Sequence, residues 1–170
     1  YLDYNASGLV RPEVQEIMAK ALADNGNPSA VHAAGRRARA RIETARGQVA
    51  ELVGADPTAV VFSSGGTESN AQAIVSALAA GCERLIVGAT EHPCVAEAAT
   101  ASGAPVEVLP VDVNVVVDLD WLAEALTRPG RAVVAIHHAN NESGVIQPIA
   151  EAAVLVRAAG GWLHVDAIQS

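Results

Sequence analysis

From Val60 onward the chain alternates between short apolar runs and longer segments of helical character. The pattern predicts strands at 60–63, 85–88, 106–111, 132–137 and 162–166. It predicts helices between them at 67–80, 93–102, 119–127 and 148–159. Pro93 and Pro148 stand at helix starts, and Gly103 and Gly160 at or near helix ends, where each residue type belongs. Strands separated by helices of this length are not hairpins. They need crossover connections, which give a mostly parallel sheet with helices on both faces. The expected class is therefore α/β, a three-layer αβα arrangement. With 170 residues, 51% of them hydrophobic and 18% charged, the chain can bury a real core.

Two helices precede this alternation. Pro12 to Asp24 is amphipathic, with Val14, Ile17, Met18, Ala21 and Leu22 on one face and Asn25-Gly26 as the stop. Asn27-Pro28-Ser29 reads as a turn. A longer helix runs from about His32 to Val53, with Ala38, Ile42, Ala45, Val49 and Leu52 expected inward. Five of the eleven basic residues lie between Arg36 and Arg46, which reads as a solvated helix face or as a guard of positive charge near an anion. The net charge of −8 argues against a nucleic-acid surface. No apolar run approaches the ~20 residues that span a bilayer. Cys82 and Cys94 form neither a metal pattern nor a disulfide framework, so a reducing compartment, the cytoplasm, is expected and no metal is called for. The chain starts at Tyr1 without Met and stops at Ser170 just after a strand, so it reads as part of a longer protein.

Parallel sheets bind ligands outside the carboxyl ends of their strands. The first predicted strand is followed by Ser63-Ser64-Gly65-Gly66-Thr67-Glu68-Ser69-Asn70. A strand turning through two glycines into a helix offers backbone N–H donors and a positive dipole end to an anion, and Thr67 and Ser69 add hydroxyls. An ordinary βα turn capped by Ser64 or Thr67 would use the same residues. The second strand is followed by Thr90-Glu91-His92-Pro93, the fourth by His137-His138-Ala139-Asn140-Asn141-Glu142, and the fifth ends on Asp166-Ala167-Ile168-Gln169-Ser170. Each group has a structural use as a cap or turn. Their convergence on one rim favours a site. A phosphate loop, a strand-end carboxylate, an imidazole and two amides suit pyridoxal phosphate. The Asp keeps the pyridine nitrogen protonated, the imidazole stacks and shuttles a proton, and amides bond the phenolic oxygen.

These residues resemble the class V aminotransferase family, and within it the cysteine desulfurases of the NifS/IscS type. The matching segments are YLDYNAS at 1–7, GNPSAVHAAGRRAR at 26–39, VFSSGGTES at 61–69, TEHPCV at 90–95, HHANNESGVIQP at 137–148 and HVDAIQS at 164–170. The resemblance implies the fold-type I architecture of pyridoxal phosphate enzymes: a large αβα domain with a mixed seven-stranded sheet, a smaller second domain and a homodimer. Residues 1–170 would be the N-terminal segment and the first part of the large domain. By position, Gly66 and Thr67 would hold the cofactor phosphate, and His92 would stack on the ring and serve in acid–base steps. Asn141 would sit beside the ring oxygen and substrate, Asp166 would pair with the pyridine nitrogen, and Gln169 would bond the phenolic oxygen.

The resemblance implies conversion of L-cysteine to L-alanine, with sulfur passed to an enzyme persulfide and on to an acceptor or scaffold protein for iron–sulfur cluster biosynthesis. The family's cofactor-holding Lys, persulfide Cys and substrate-gripping Arg fall beyond Ser170, so these residues alone are expected to be inactive. Lys20, the single Lys, has no motif match, and neither Cys matches the persulfide position. Cys94, two residues from His92, reads as a small apolar helix residue. The chain departs from the family at Ala6-Ser7-Gly8-Leu9, where Ala-Thr-Thr-Pro is usual, and at Asn70-Ala71, where Asp-Asn or Asn-Asn is usual. Competing readings are another class V chemistry, selenocysteine lyase or transamination, and a non-catalytic binding homologue.

Overall fold

A computed structural model describes residues 2–23 and 25–170. They form two compact units, one ending at Phe62 and the other Ser63–Ser170.

In the first unit, α1 (Pro12–Leu22) begins with Pro at its first position and carries Glu13 and Lys20 at the ends that suit the helix dipole. The end predicted at Asp24 lies outside the described residues. Its apolar face, Val14, Ile17, Met18 and Leu22, is exposed among the described residues. The second helix, α2 (Ala33–Val53), is capped by His32, whose Nδ1 accepts from Gly35 N at 3.3 Å, and it ends at Gly54 in the left-handed conformation, φ 66°. Its buried residues are Gly35 and Ala50. Two residues expected inward, Val49 and Leu52, turn outward instead, Leu52 being 84% exposed. The most buried positions are the small Gly35 and Ala50, with Ala38, Ile42 and Ala45 half-buried beside them. The Arg cluster is exposed except for Arg46. Arg46 folds back to donate to the Val60 carbonyl and lies 5.2 Å over the Phe62 ring.

The expected strand at 60–63 is absent. Val60 follows a 3-10 turn, Pro57–Ala59, and is extended, yet no described strand pairs with the run and Val61 is 80% exposed. An apolar run acquires strand structure only against a partner edge, and this run has no strand partner among the described residues.

The second unit is the predicted αβα layer structure. Its four strands are β1 (Arg84–Gly88), β2 (Val106–Leu109), β3 (Ala132–His137) and β4 (Trp162–Asp166), all parallel in the order β2-β1-β3-β4. The helices are α3 (Gly66–Ala79), α4 (Pro93–Ala101), α5 (Leu119–Leu126) and α6 (Ile149–Ala158). Alternation along the strands feeds two cores. Leu85, Val87, Val133 and Ala135 pack with Ile74 and Ala77 of α3 and Val95 and Ala99 of α4. Ile86, Val134 and Ile136 pack on the other face with Leu122, Ala125, Ala152 and Val156 of α5 and α6. Each fully buried Leu, Ile or Val stabilises by roughly 1.5–3 kcal/mol. Because the strands are parallel, Gly88, His137 and Asp166 all end at one edge of the sheet.

Candidate active site

The α3 N-terminus is built as its sequence requires. Gly65 is the N-cap, with φ 164°, and Gly66 opens the helix. The first N–H groups of a helix have no intrahelical acceptor. Glu68 reaches back so that its Oε2 accepts from Ser64 N at 2.7 Å, and Ser64, through its hydroxyl first and its N–H second, holds the Glu68 carboxyl below its ordinary range. Ser63 and Ser69 join hydroxyl to hydroxyl at 2.6 Å across the loop. Gly66 faces the turn that follows β4: a Cβ there would stand 2.9 Å from Ile168 Cδ1. The α3 start thus lies against the Ile168 side chain of the Asp166–Ser170 turn.

Asp166 ends β4 with both oxygens held. Its Oδ1 accepts from Ile168 N at 3.0 Å, and its Oδ2 accepts from Asn70 Nδ2 at 2.8 Å. Both partners are neutral donors, so neither is a counter-charge to a carboxylate. Asn70, on α3, is only 4% exposed. Its Oδ1 meets His164 Nε2 at 2.8 Å, and its Nδ2 also lies 3.4 Å from Cys94 Sγ. Burial lowers the His164 pKa from its ordinary value, against a weaker upward pull from Asp166 and Glu91.

His92 caps α4, with Nδ1 accepting from Cys94 N at 3.2 Å. Cys94 Sγ lies 3.0 Å from the same Nδ1. A ring nitrogen that accepts a backbone N–H carries no hydrogen, so the thiol S–H donates to it and the His92 proton sits on Nε2. The loop bearing His92 is tied to the end of β3. Glu91 Oε1 accepts from His137 N at 2.5 Å and meets His137 Nδ1 at 2.7 Å, and Asn140 Nδ2 donates to the Thr90 carbonyl at 3.2 Å. Gly88 makes room for this, since a Cβ there would stand 3.1 Å from Glu91 Oε1. His92 and Asn141 line a cleft of about 490 Å³ with Thr90, Glu91, Val115 and Asn140. The two asparagines divide their labour: Asn140 Oδ1 accepts from the N–H groups of Glu142 and Ser143, which folds the turn, while Asn141 faces the cleft.

The predicted residues therefore fall into two groups. Gly66 and Thr67 stand at the start of α3, which meets the turn after Asp166 that holds Gln169, and His92 and Asn141 share the neighbouring cleft. Sequence reasoning missed what joins them, namely Asn70, with His164 behind it and Cys94 in contact with His92. The signal was present in part. His164 and Asp166 are two apart on one strand and so share a face. An anion fits the open helix start, and a pyridinium fits the anchored, uncompensated carboxylate.

A family model described as Aminotransferase class-V matches residues 1–170. The cysteine desulfurase IscS of Dictyoglomus turgidum is 40% identical over all of this chain and 45% of its own length. The structure of a NifS-like protein from Rickettsia africae ESF-5 aligns with a TM-score of 0.87 at 32% identity, over 97% of this chain and 46% of its own. SspA, solved in complex with cysteine, aligns with a TM-score of 0.91 at 33% identity, over 100% of this chain and 51% of its own. The chain spans about half the length of the curated relatives it matches. The match of the family model along residues 1–170, on a fold whose strand ends carry these residues, shows that the chain belongs to the class V aminotransferase family.

Proposed function

We propose that the full-length protein is a pyridoxal phosphate-dependent cysteine desulfurase. The observation that carries this is an anchored Asp166 carboxylate connected through Asn70 and Cys94 to a His92 imidazole, beside the start of α3. When bound, pyridoxal phosphate supplies an electron sink at the amino acid's α-carbon. The N–H groups of Gly66 and Thr67, with the Thr67 hydroxyl, would hold its phosphate, whose charge the helix dipole favours. Asp166 would offer a carboxylate to the ring nitrogen. Asn141 and Gln169 would supply amide hydrogen bonds to the ring oxygen. His92 would stack on the ring and serve in acid–base steps with Nε2 as its proton-bearing nitrogen.

The overall reaction balances without an external oxidant. The C–S bond of cysteine breaks, an enzyme thiol takes the sulfur atom as a persulfide, and the β-carbon takes a proton to give alanine. The reading extends, on family likeness, to a homodimer in the cytoplasm that hands sulfur to an acceptor protein. Desulfurases among the similar proteins, and the neighbour solved with cysteine, favour this chemistry over transamination. The test is to purify the full-length protein, add pyridoxal phosphate and a thiol reductant that releases the persulfide sulfur as sulfide, and assay alanine and sulfide from cysteine. A visible cofactor band and one alanine per sulfur are expected, while a colourless protein that takes up no cofactor would sink the proposal. Asp166→Asn in the same protein is expected to stay folded and lose most turnover.

A further inference from the structure

The hydrogen bonds around Asn70 have a fixed direction. Asp166, a carboxylate, can only accept, so the Asn70 atom facing it is the amide nitrogen. That leaves the amide oxygen toward His164, whose Nε2 must therefore carry the hydrogen. A second amide hydrogen faces Cys94 Sγ, and the thiol in turn donates to His92 Nδ1. One buried side chain thus connects α3, α4 and β4, and it sits between the two groups assigned to the ring.

We propose that Asn70 is a positioning residue: its amide holds the Asp166 carboxylate directly and orients His92 through Cys94, so that carboxylate and imidazole are set from one buried point. The assignment of ring-facing roles rests on the cofactor reading above; the geometry of Asn70 does not. Three features make this more than packing. Asn70 uses both its amide donor directions and its amide oxygen internally, on three partners from α4 and β4. Its partner His164 is kept neutral by burial, so it orients the amide without compensating the Asp166 charge. And the Cys94 thiol, which has no motif role of its own, joins the Asn70 amide to His92 Nδ1, the nitrogen that the Cys94 backbone N–H already keeps unprotonated.

The experiment uses the full-length protein. Asn70→Leu keeps the volume and removes the hydrogen bonds, Asn70→Ala removes both, and Cys94→Ala removes only the thiol link between Asn70 and His92 and leaves the backbone N–H on His92 Nδ1. In the holoenzyme, Asn70→Leu is expected to lower kcat by about 10-fold or more, up to the ~100-fold that a 1 Å misplacement costs, with KM for cysteine changed far less. The pH dependence of the visible cofactor band is expected to move as well. Cys94→Ala is expected to lower kcat by a smaller factor and leave the band unmoved. A role in packing alone predicts a lower melting temperature with normal kcat per bound cofactor, and that result overturns the proposal. Should the Asn70 variants not fold, 15N-histidine NMR of the wild-type protein decides. His164 is expected as the Nε2–H tautomer, and His92 with Nδ1 unprotonated; a His164 Nδ1–H tautomer overturns the proposal. Wild-type protein that takes up no pyridoxal phosphate defeats the function reading instead, and the NMR measurement still tests Asn70.

Discussion

Val115 shows what a single backbone angle can cost. Its φ is 65°, in the left-handed region, and no other described non-glycine residue has a positive φ. A β-branched side chain there is strained by about 1–2 kcal/mol. The surroundings hold it in place. Asp112 Oδ1 accepts from Asn114 N and Val116 N, and the buried Gln147 donates to the Val115 carbonyl at 2.8 Å while accepting from Val117 N at 2.9 Å. Val115→Gly relieves the strain but adds unfolded-state entropy of about 0.5–1 kcal/mol. The net expectation is a gain of up to about 1 kcal/mol, a rise in melting temperature of roughly 2–4 °C for a chain of this size. An unchanged or lower melting temperature would show that the Val115 side chain, which lines the cleft, contributes more by contact than its backbone costs.

Helix α2 places two glycines in opposite situations. A Cβ on Gly35 would stand 2.2 Å from the Ala30 carbonyl oxygen and 2.7 Å from that of Asn27, both backbone atoms that cannot swing away. A Cβ on Gly47 would meet nothing within 4 Å. Gly35→Ala is expected to destabilise by about 2–3 kcal/mol, the upper part of the overpacking range, because the turn 27–30 must move. Gly47→Ala is expected to stabilise by about 0.5–1 kcal/mol through helix propensity. Denaturant midpoints of the two variants should therefore move in opposite directions, and movement in one direction would contradict the docking of α2 on that turn. The sequence made the helices and all four sheet strands legible because their signals are local: Pro93 at a helix start, Gly54 at a helix end, apolar runs at Leu85–Val87 and Ala132–Ile136. It misled at Val60–Phe62, where strand structure depends on a distant partner, and at Val49 and Leu52, where helical periodicity does not say which face is covered. The candidate site divides the same way. The positions of His92, at the start of α4, and of Asp166, at the end of β4, were legible because each is marked by a local signal. Asn70 and His164 were not, because their roles exist only where α3 crosses β4.

At the scale of the molecule, stability should depend on pH in a way that isolates His164. Burial lowers its pKa, so between that value and the ordinary one of about 6.5 the unfolded chain binds more protons than the folded one. Stability is then complete above about pH 6.5, falls as pH falls through the lowered value, and stays lower beneath it. Glu91 and Asp166 face His164 and pull the other way, which narrows the window without reversing it. Asp56, Glu68 and Asp112 also have lowered pKa values, through hydrogen bonds to their carboxylates. Their contributions are present above the ordinary carboxyl range of about 4 and are lost below it, a separate and more acidic window. At the alkaline end, burial raises the Cys82 thiol, so stability falls again as pH rises past the ordinary thiol value of about 8.5. His164→Gln keeps an N–H donor for Asn70 Oδ1 and removes the titration. Denaturant midpoints measured from pH 4 to 9.5 are expected to show the wild-type loss beginning near pH 6.5 and its absence in the variant, with the carboxylate and thiol limbs shared. If the variant retains the loss near neutral pH, another group titrates there, and the reading of His164 as a buried neutral donor to Asn70 is wrong.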